Sequence, residues 1–553
     1  MSTLETHDLL ALGVRVPPGD PHAISVHFPT WGDCVGWGDR DPRVVNAMTN
    51  GYPRFFVPLT VASLSKEILT KCIKAGEFKN KNVDELFILL VSAYQHAALC
   101  QSHFRQQNEP GVEPSDIVVI KVSWDGNIAR LDGEPKAETE APGAGKEPLF
   151  AVIHPAELQM CARYFLQHTG FGISSRRSDF WVEHGPFGNE KGNEEVPVSP
   201  YDGNEVDTAR AAMRQRIAVG NSAPEENVFL YPGGMSGIAQ TAMAIQKVRH
   251  PDGNSPCRTA VFGFLYVDSF KILTKILGYE ATQYKYDDAD LDQLEDRLRS
   301  GDQLDVVFTE FPGNPLLQSP DLDRLHRLSI EHKFLLVVDD TMGCYANVSL
   351  LGSCDLVVTS LTKMFSGGCN VMGGSTVVSP HSPSADALLA AMNAGYQPEQ
   401  WFPGDVLVME ENSRDFVERT RRASANAEAV VELLRRSPLL DEVYYPKGSA
   451  TQHIFDKYKV PGGGYGFMMS LRFRSPEMAA AFYDTLDTAK GPSFGSRWTM
   501  ACTYTIQAHP NETEWAASYG VVKHLIRTSI GLESEEWLKA RVQEALDAAS
   551  RVA

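Results

Sequence analysis

The sequence predicts an α/β protein in which a mainly parallel sheet is covered by helices. Between about residues 170 and 420, short apolar runs alternate with stretches of helical periodicity, which is the pattern of successive strand–helix units. Four of these runs are typical of buried strands: 259–263, 306–309, 335–338 and 356–359. Ligands of such sheets bind at the carboxyl ends of the strands, so the residues that directly follow each run are the first candidates for function.

Composition and periodicity predict four regions along the chain. Residues 1–60 are irregular and contain several Pro and Trp residues, so we interpret them as an arm across a surface or a neighbour. Residues 61–165 predict an extra α/β module of unknown role, in which helix-like runs alternate with a β-like piece: 62–75, 83–106 and 117–122. Within this module, the Pro/Glu/Gly/Ala-rich stretch 134–147 is typical of a flexible loop.

The other two predicted regions carry the sheet and a smaller domain. Residues 166–420 contain the four apolar strand candidates. Residues 421–553 predict a smaller C-terminal α/β domain, because a long helical run at 413–434 is followed by strand-like segments near 443–445 and 466–471. A chain of 553 residues has the mass for two or three domains with real cores.

Composition also limits the partners. The chain has 70 acidic and 51 basic residues and a formal net charge of −19, which disfavours nucleic acid and anionic membranes. Its nine cysteines include no Cys-x-x-Cys pair, so neither a disulfide framework nor a metal site is predicted and a cytoplasmic location is expected. No apolar run reaches transmembrane length, and the first thirty residues lack the charge order of a signal peptide.

The most informative motif is Ser360-Leu361-Thr362-Lys363, which directly follows the apolar run 355–359. A buried strand there would deliver an ammonium group to the edge of the sheet, beside hydroxyl groups suited to phosphate. This arrangement is what a lysine that binds pyridoxal 5'-phosphate (PLP) requires. On these four residues alone, an exposed turn after a strand is an equally good interpretation.

Two other strand ends fit the same cofactor. The apolar run 334–338 ends in Asp339, 24 positions before Lys363. A buried strand that ends in Asp provides either a helix N-cap or an acid held against a positive partner, such as the pyridinium nitrogen of PLP. The glycine-rich turn 231–237 follows a short apolar run and opens a helix-like run, so its backbone N–H groups could approach a phosphate, although it could also be only a tight turn.

In their order along the chain, these motifs resemble the Cys/Met-metabolism PLP-dependent enzymes, which include cystathionine synthases and lyases, methionine γ-lyase and the homoserine sulfhydrylases. The resemblance covers roughly residues 170–553. It rests on six ordered motifs: Gly234-Met235-Ser236-Gly237, Tyr266, Glu310-Phe311-Pro312-Gly313-Asn314-Pro315, Val338-Asp339-Asp340-Thr341, Ser360-x-Thr362-Lys363 and Arg527-x-Ser529-x-Gly531-x-Glu533. Each motif has an ordinary structural interpretation when taken alone.

The resemblance implies a fold-type I, aminotransferase-like PLP-dependent transferase with an N-terminal extension like that of the long fungal cystathionine γ-synthases. It also implies a role for each candidate residue. The implied roles are proton transfer for Lys363, ring stacking and help with proton transfer for Tyr266, contact with the ring nitrogen for Asp339, contact with the phenolic oxygen for Asn314, phosphate binding for Gly234, Met235, Ser360 and Thr362, and binding of the substrate carboxylate for Ser493 and Arg527.

One departure concerns the phosphate. The family normally reaches a Tyr-x-Arg from a neighbouring subunit onto the cofactor phosphate, and here Ser174 stands where that tyrosine would precede Arg176. Tyr52-x-Arg54 is a second candidate, much earlier in the chain. The resemblance therefore implies a homo-oligomer, a dimer or a tetramer, with shared active sites.

A second departure lies where the second substrate should bind. Gly368-Cys369 replaces the aspartate and small polar residue expected of the fungal synthases, and the Pro-Ser-Leu-Gly segment appears as Pro492-Ser493-Phe494-Gly495. Phe494 and Trp498 would make the pocket more apolar, while Arg497 could bind an anionic nucleophile.

Three hypotheses about function follow, and the first two use small amino-acid substrates. The leading one is γ-replacement on an O-acylated L-homoserine, with cysteine as the nucleophile and cystathionine as the product. The second keeps the same leaving group but uses a carbon or amine nucleophile, for example a β-keto acid, in fungal specialised metabolism. The third is a non-catalytic regulatory protein on the same fold, with residues 61–165 as an interaction module.

Overall fold

The computed structural model describes residues 11–76, 78, 85–134, 143–186, 199–253 and 255–553. These residues form two compact units. Unit 1 comprises the described residues of Met1–Tyr52, Met213–Tyr396 and Asn412–Ala553, and unit 2 those of Pro53–Ala212 and Gln397–Glu411. Both units are discontinuous in sequence, whereas the four predicted regions were continuous; the predicted boundaries stay predictions.

The strands of the described residues are short and are numbered in chain order: β1 (Arg15–Val16), β2 (Ser25–Val26), β3 (Leu86–Val91), β4 (Val118–Val122), β5 (Ile128–Leu131), β6 (Leu149–Pro155), β7 (Val228–Tyr231), β8 (Arg258–Phe262), β9 (Glu280–Tyr284), β10 (Val306–Glu310), β11 (Leu335–Asp339), β12 (Leu356–Thr359), β13 (Gly374–Val378), β14 (Leu440–Tyr444), β15 (Met468–Phe473), β16 (Ala489–Lys490), β17 (Met500–Thr503) and β18 (Ile526–Ser529).

The α-helices of the same residues are numbered in the same way: α1 (Trp31–Gly38), α2 (Pro42–Ala47), α3 (Leu59–Lys74), α4 (Tyr94–Gln106), α5 (Gln159–Thr169), α6 (Ser175–His184), α7 (Gly203–Asn221), α8 (Gly234–Arg249), α9 (Val267–Lys271), α10 (Asp288–Arg299), α11 (Leu322–His332), α12 (Ala385–Gly395), α13 (Pro403–Ser413), α14 (Phe416–Arg435), α15 (Gln452–Tyr458), α16 (Pro476–Thr485), α17 (Tyr504–Ala508), α18 (Thr513–Ser518) and α19 (Glu535–Ser550).

Unit 1 contains a seven-stranded sheet with the order β7-β13-β12-β11-β10-β8-β9. The five strands from β8 to β12 are parallel, and β13 is antiparallel to both of its neighbours. Strands β10 and β13 are buried along their whole length, as expected for apolar, β-branched strands covered on both faces. The predicted α/β fold with a mainly parallel sheet is confirmed.

A second sheet of unit 1 has the order β14-β15-β18-β17-β16 and contains the strand of Arg527. Strand β18 is central in this sheet and pairs antiparallel with β15 and β17. Helices α16 and α19 pack against each other next to it. The predicted strands near 443–445 and 466–471 correspond to β14 and β15.

The N-terminal segment of unit 1 is more regular than predicted. It forms the β1–β2 pair and the helices α1 and α2, and Thr30 caps α1 through a reciprocal capping box with Asp33. Backbone hydrogen bonds from Ile24 to Cys369 O (2.8 Å) and from Phe28 to Lys490 O (3.0 Å) hold this segment onto the remainder of unit 1. The segment is thus part of the folded unit up to Tyr52.

Unit 2 contains an antiparallel sheet with the order β3-β6-β4-β5, and α3 and α6 contribute to a core that includes Trp124 and Trp181. The helix predicted over 62–75 is confirmed as α3. The helix predicted over 83–106 is wrong in its first part, because β3 precedes α4 there. Residues 86–91 form a continuous apolar run that pairs with β6, and periodicity alone does not separate a buried strand from a buried helix. Most of the predicted loop 134–147 lies outside the described residues.

Two findings bear on expectations from composition. None of the described helices is both long enough and apolar enough to cross a membrane. All nine cysteines are free thiols.

Candidate active site

The candidate site begins where three neighbouring parallel strands end. Strands β10 and β11 pair in register so that Glu310 lies beside Asp339, and Ser360 directly follows the adjacent β12. Ser360 N donates to Thr341 Oγ1 at 2.8 Å, which ties the turn after β12 to the turn after β11. The carboxyl edge of the sheet therefore gathers residues that lie about fifty positions apart in sequence.

Lys363 lies in the turn that follows β12 and is buried. Its Nζ is 3.3 Å from Tyr52 Oη and lies between two aromatic rings, 4.5 Å from the ring centroid of Tyr52 and 4.6 Å from that of Phe494. Aromatic faces and a hydroxyl group stabilise an ammonium. These contacts hold the amine in place beside the edge of the sheet.

A buried arginine holds the backbone next to this lysine. Arg419 donates through Nη2 to the carbonyl oxygens of Met364 (2.8 Å) and Phe365 (2.7 Å), and its Nη1 pairs with Asp415. A Cβ atom at Gly367 would lie 2.5 Å from Arg419 Nε, so only glycine allows this approach. The guanidinium thereby defines the path of the chain directly after Lys363.

The carboxyl groups of the buried Glu310 and the partly buried Asp339 lie side by side at the same edge. Burial raises the pKa of Asp339, while hydrogen bonds from Thr341, including Thr341 N at 2.9 Å, act in the opposite direction. Burial and the neighbouring Asp339 raise the pKa of Glu310 to about 8. Among the described residues neither carboxyl group forms an ion pair, so this edge fits a cationic group such as a pyridinium nitrogen.

The glycine-rich turn before α8 forms another part of the candidate site, beside Ser360. The 16-residue helix begins at Gly234, where a Cβ atom would lie 2.8 Å from Ser360 Cβ. Next to it, Thr362 Oγ1 donates to Gly373 O (3.2 Å) and accepts from Gly373 N (3.1 Å). A glycine-rich helix N-terminus against a hydroxyl residue is suited to bind a phosphate.

Tyr266 and Met235 are two further candidate residues of the site. Tyr266 follows β8 and precedes α9, and its backbone N donates to Glu310 Oε1 at 2.5 Å. Met235 is buried in the first turn of α8, and its Sδ is 4.0 Å from Ser269 Oγ. The strand ends therefore place the backbone of the predicted stacking tyrosine within hydrogen-bond reach of Glu310.

Arg527 and Asn314 form the candidate carboxylate clamp. Arg527 Nη1 donates to Asn314 Oδ1 and Nη2 to Pro492 O, both at 3.1 Å. The guanidinium also lies over the rings of Phe494 (4.6 Å) and Tyr504 (4.9 Å). No carboxylate pairs with this buried arginine within the described part of the chain, so it fits an anionic substrate group.

Ser493 adjoins this clamp through its neighbour Pro492. It is buried, and its side chain lies close to the thiol of Cys369. Burial raises the pKa of Cys369 to about 11, so the thiol is neutral near pH 7. A small hydroxyl and a neutral thiol thus line the pocket near Lys363.

The two arginines proposed for the phosphate lie in unit 2. Arg176 Nη1 pairs with Asp405 Oδ1 at 2.5 Å, and Ser174 Oγ donates to the other oxygen of the same carboxylate. Arg54 Nη1 donates to Gln167 O at 2.5 Å. Phosphate binding by either arginine stays a prediction.

The sequence analysis missed two residues of the site, Tyr504 and Arg419. Tyr504 contacts both Arg527 and Asn314, whose Nδ2 lies 3.3 Å from Tyr504 Oη. Arg419 lies in the first turns of a long helix, where charged residues are usually exposed. Neither residue belongs to a recognisable local motif, and only the contacts reveal them.

One group of potential metal ligands lies at the amino ends of the parallel strands. Asp305 Oδ2 is 3.1 Å from His250 Nε2, and Cys257 completes a group whose ligand atoms lie within 4.8 Å of one another. The same carboxylate oxygen accepts a hydrogen bond from Arg258 N at 2.8 Å, which gives the cluster a structural explanation. That the protein uses no metal stays a prediction.

Comparisons with known proteins cover nearly the whole chain. The family model for Cys/Met metabolism PLP-dependent enzymes matches residues 204–547, and that for the N-terminal domain of fungal trans-sulfuration enzymes matches residues 60–174. The chain is 34% identical to a cystathionine gamma-synthase of Neurospora crassa, over 95% of this chain and 96% of that protein. It is also 34% identical to a cystathionine gamma-synthase-like enzyme of Amanita muscaria, over 99% and 98%.

A solved structure agrees with these matches. The cystathionine gamma synthase of Xanthomonas oryzae pv. oryzae, in complex with cystathionine, superposes with a TM-score of 0.55 and 25% sequence identity. The match covers 66% of this chain and 92% of that one. The predicted family, fold type and cofactor are thereby confirmed, and the chain belongs to the Cys/Met metabolism PLP-dependent enzymes.

Proposed function

We propose that the protein catalyses γ-replacement on an O-acylated L-homoserine, with cysteine as the nucleophile and cystathionine as the product. The observation that carries this proposal is the placement of Lys363 and Arg527 on the same aromatic ring, that of Phe494, each 4.6 Å from its centroid. An amino-acid carboxylate bound at Arg527 would present its α-carbon towards the lysine. Relatives named for this reaction match over nearly their whole length.

The residues fit PLP, which supplies an electron sink for negative charge on the α-carbon of the substrate when it is bound. Asp339 would hold the ring nitrogen, since it is a partly buried acid that lacks a cationic partner among the described residues. Gly234, Met235, Ser360 and Thr362 would hold the phosphate at the N-terminus of α8.

The remaining residues would bind the substrate or transfer protons. Lys363 Nζ takes the proton from the substrate α-carbon. It then assists removal of a proton from the β-carbon, so that the acyl group leaves from the γ-carbon and the nucleophile can add there. By resemblance to the family, Tyr266 would stack on the ring and assist proton transfer, while Asn314 would contact the phenolic oxygen. Arg527 and Ser493 hold the substrate carboxylate, which orients the α-proton towards Lys363.

The test is product mass with purified enzyme. O-acetyl- or O-succinyl-L-homoserine supplied with cysteine should be converted to cystathionine, and Arg527→Lys should raise KM for the acylated homoserine more than it lowers kcat. Consumption of neither acyl ester would refute the γ-replacement chemistry. Lys523→Arg, at an unburied cationic position before β18, is a matched control that should leave both constants unchanged.

A second candidate function uses a carbon or amine nucleophile, such as a β-keto acid. Phe494 favours it, because its ring contacts both Lys363 and Arg527 at a position where the fungal synthases are expected to carry a smaller leucine. The suggested role of Arg497 in binding an anion is less favoured, since Arg497 Nη2 lies 3.4 Å from Asp415 Oδ1.

Competition separates the two candidates. Cysteine and acetoacetate are supplied together with O-acetyl-L-homoserine, and both products are read by mass. Predominant cystathionine supports the leading proposal, whereas carbon–carbon adducts with little cystathionine support the second. Phe494→Leu should increase the share of cystathionine if the ring restricts the nucleophile pocket.

We also propose a cytosolic homo-oligomer with shared active sites, in which Arg176 or Arg54 reaches the phosphate of a neighbouring subunit. The nine free thiols support a reducing compartment. Inactive Lys363→Ala mixed with inactive Arg176→Ala should regain activity in hybrid dimers. Hybrids that form and stay inactive would refute the role of Arg176, and the same experiment with Arg54→Ala tests the alternative.

A further inference from the structure

Glu310 connects two active-site loops through its two carboxylate oxygens. It is the last residue of β10 and is only 4% exposed. Oε1 accepts a hydrogen bond from Tyr266 N at 2.5 Å, and Oε2 accepts one from Asn314 N at 2.8 Å. One buried side chain therefore fixes the backbone of the predicted stacking tyrosine and of the predicted asparagine at the phenolic oxygen.

The connection continues to the carboxylate clamp. Asn314 Oδ1 accepts from Arg527 Nη1 at 3.1 Å, and Asn314 Nδ2 donates to Tyr504 Oη at 3.3 Å. A shift of the Asn314 backbone would move the acceptor that orients the guanidinium. Glu310 thus lies at the start of a continuous set of hydrogen bonds that ends at the substrate site.

Its position beside Asp339 adds an electrostatic reason for its placement. The two residues are register partners on adjacent parallel strands. Two carboxyl groups in one buried site disfavour each other's ionisation, and burial with Asp339 raises the pKa of Glu310 accordingly. A cationic ring at Asp339 would relieve this conflict, so binding of the ring and retention of the Glu310 hydrogen bonds favour each other.

We propose that Glu310 is a positioning residue that couples the PLP ring pocket to the substrate-carboxylate clamp by anchoring Tyr266 and Asn314. The carboxylate-clamp half of this inference rests on the proposed function. The PLP half rests only on the family and on the contacts of Glu310. Glu310 itself need not touch the reacting atoms.

Glu310→Gln tests the proposal, because the amide keeps the size of the side chain but turns one acceptor into a donor that faces a backbone N–H. Asp355→Asn is the matched control. Asp355 is buried directly before β12. Its two oxygens accept one hydrogen bond each, from Leu336 N (2.7 Å) and Ser382 Oγ (2.5 Å), at the opposite edge of the same sheet.

Three quantities are measured on both variants and the unchanged enzyme: the Kd for PLP, the visible circular dichroism per bound PLP, and the affinity for L-homoserine, which lacks the acyl leaving group. Glu310→Gln should raise the Kd for PLP at least about tenfold, reduce the dichroism and weaken L-homoserine binding. Asp355→Asn should leave all three quantities within about twofold of the unchanged enzyme. It should lower the melting temperature by about as much as Glu310→Gln does.

The proposal is overturned if Glu310→Gln leaves the PLP constant and the dichroism within about twofold, or if Asp355→Asn changes them as much. Glu310→Asp, which keeps the charge but shortens the reach, carries the same test if the glutamine variant does not fold. If neither folds while Asp355→Asn does, Glu310 is a determinant of the fold and the proposal also fails. None of these measurements requires γ-replacement, so a failure of the proposed reaction is seen separately.

Discussion

At the carboxyl edge of the large sheet in unit 1, buried ionisable groups lie without neutralising charges, whereas the buried histidines of unit 2 are enclosed by aromatic rings. Glu310 is an example of the first kind, and Arg527 of the second sheet, which contacts Asn314 next to this edge, is another. In unit 2, His96 stacks on Phe171 with ring centroids 3.6 Å apart, and burial lowers the pKa of His96 to about 3. Burial of a neutral ring serves packing, while burial of a group that lacks a counter-charge indicates a place kept for a ligand.

The same contrast extends to two further histidines of unit 2. Burial lowers the pKa of His103 and of His154, and the latter ring stacks with Phe87 at 6.2 Å. All three histidines are therefore neutral at pH 7. A buried ionisable group without a counter-charge is therefore a stronger candidate for ligand binding than a buried neutral ring.

The largest effect is expected for Lys363, the group at the centre of the unit 1 site. Lys363→Ala should remove covalently bound PLP and lower kcat/KM by at least about a thousandfold, because the proton carrier is lost. Borohydride reduction followed by peptide mass spectrometry locates the modified lysine. Lys247→Ala, at an exposed position of α8, is the control and should retain both properties. Modification of another lysine in the unchanged enzyme would contradict the assignment.

A smaller loss is expected for the acid at the ring nitrogen. Asp339→Asn should lower kcat about a hundredfold or more, because an amide does not stabilise the protonated ring. Its neighbour Asp340 is the matched control: it is buried, burial raises its pKa to about 7, and it accepts a hydrogen bond from Thr359 Oγ1 at 2.5 Å. Asp340→Asn should affect thermal stability more than kcat. Equal kcat losses in both variants would remove the distinction.

Acidification should weaken unit 2 selectively. The folded pKa of His96, about 3, lies below the ordinary value of 6.5, so the unfolded chain binds more protons between these values. The stability that the neutral ring contributes is present above pH 6.5 and is lost as the pH falls towards 3, by roughly 1.4 kcal/mol per pH unit.

Hydrogen exchange of peptides from 86–106, corrected for the intrinsic rate at each pH, measures this effect. His96→Leu should reduce the slope between pH 6.5 and 5. Glu310 and Asp340 predict the opposite sign for unit 1 in the absence of a cationic partner: their raised pKa values mean that stability is lost as the pH rises from about 4.5 through 8. If the stabilities of the two units changed with pH in the same direction, the predicted difference between their buried groups would be wrong.

The smallest effect is expected for the ion pair of unit 2. Asp405→Asn removes the charge that holds Arg176 and Ser174, and it should cost about 1–3 kcal/mol of unfolding free energy. The Kd for PLP should stay within about twofold if Asp405 only supports the fold. A large rise in that Kd would connect this ion pair to the cofactor and would sharpen the assignment of Arg176.

The sequence alone determined the strands and the residues that follow them. Runs such as 335–338 and 356–359 are apolar and β-branched, so they were predicted as strands, and the parallel order then placed Asp339 and Lys363 at one edge. The family motifs are local, which is why Gly234, Asn314 and Arg527 could also be proposed as site residues. Local ambiguity set the limit: residues 86–91 are as compatible with a buried helix as with β3, and only pairing with β6 decides.

The tertiary structure alone decided which of these residues meet. Tyr504 contacts Asn314 across 190 positions of sequence, and Tyr52 contacts Lys363 across 311. No periodicity encodes such pairs, because they depend on how β10, β12, β17 and the N-terminal segment pack in unit 1. The contact of Phe494 with both Lys363 and Arg527 arises in the same way. Short sequence motifs identify the candidate reactive residues. The distances between these motifs follow from the burial of whole strands and helices.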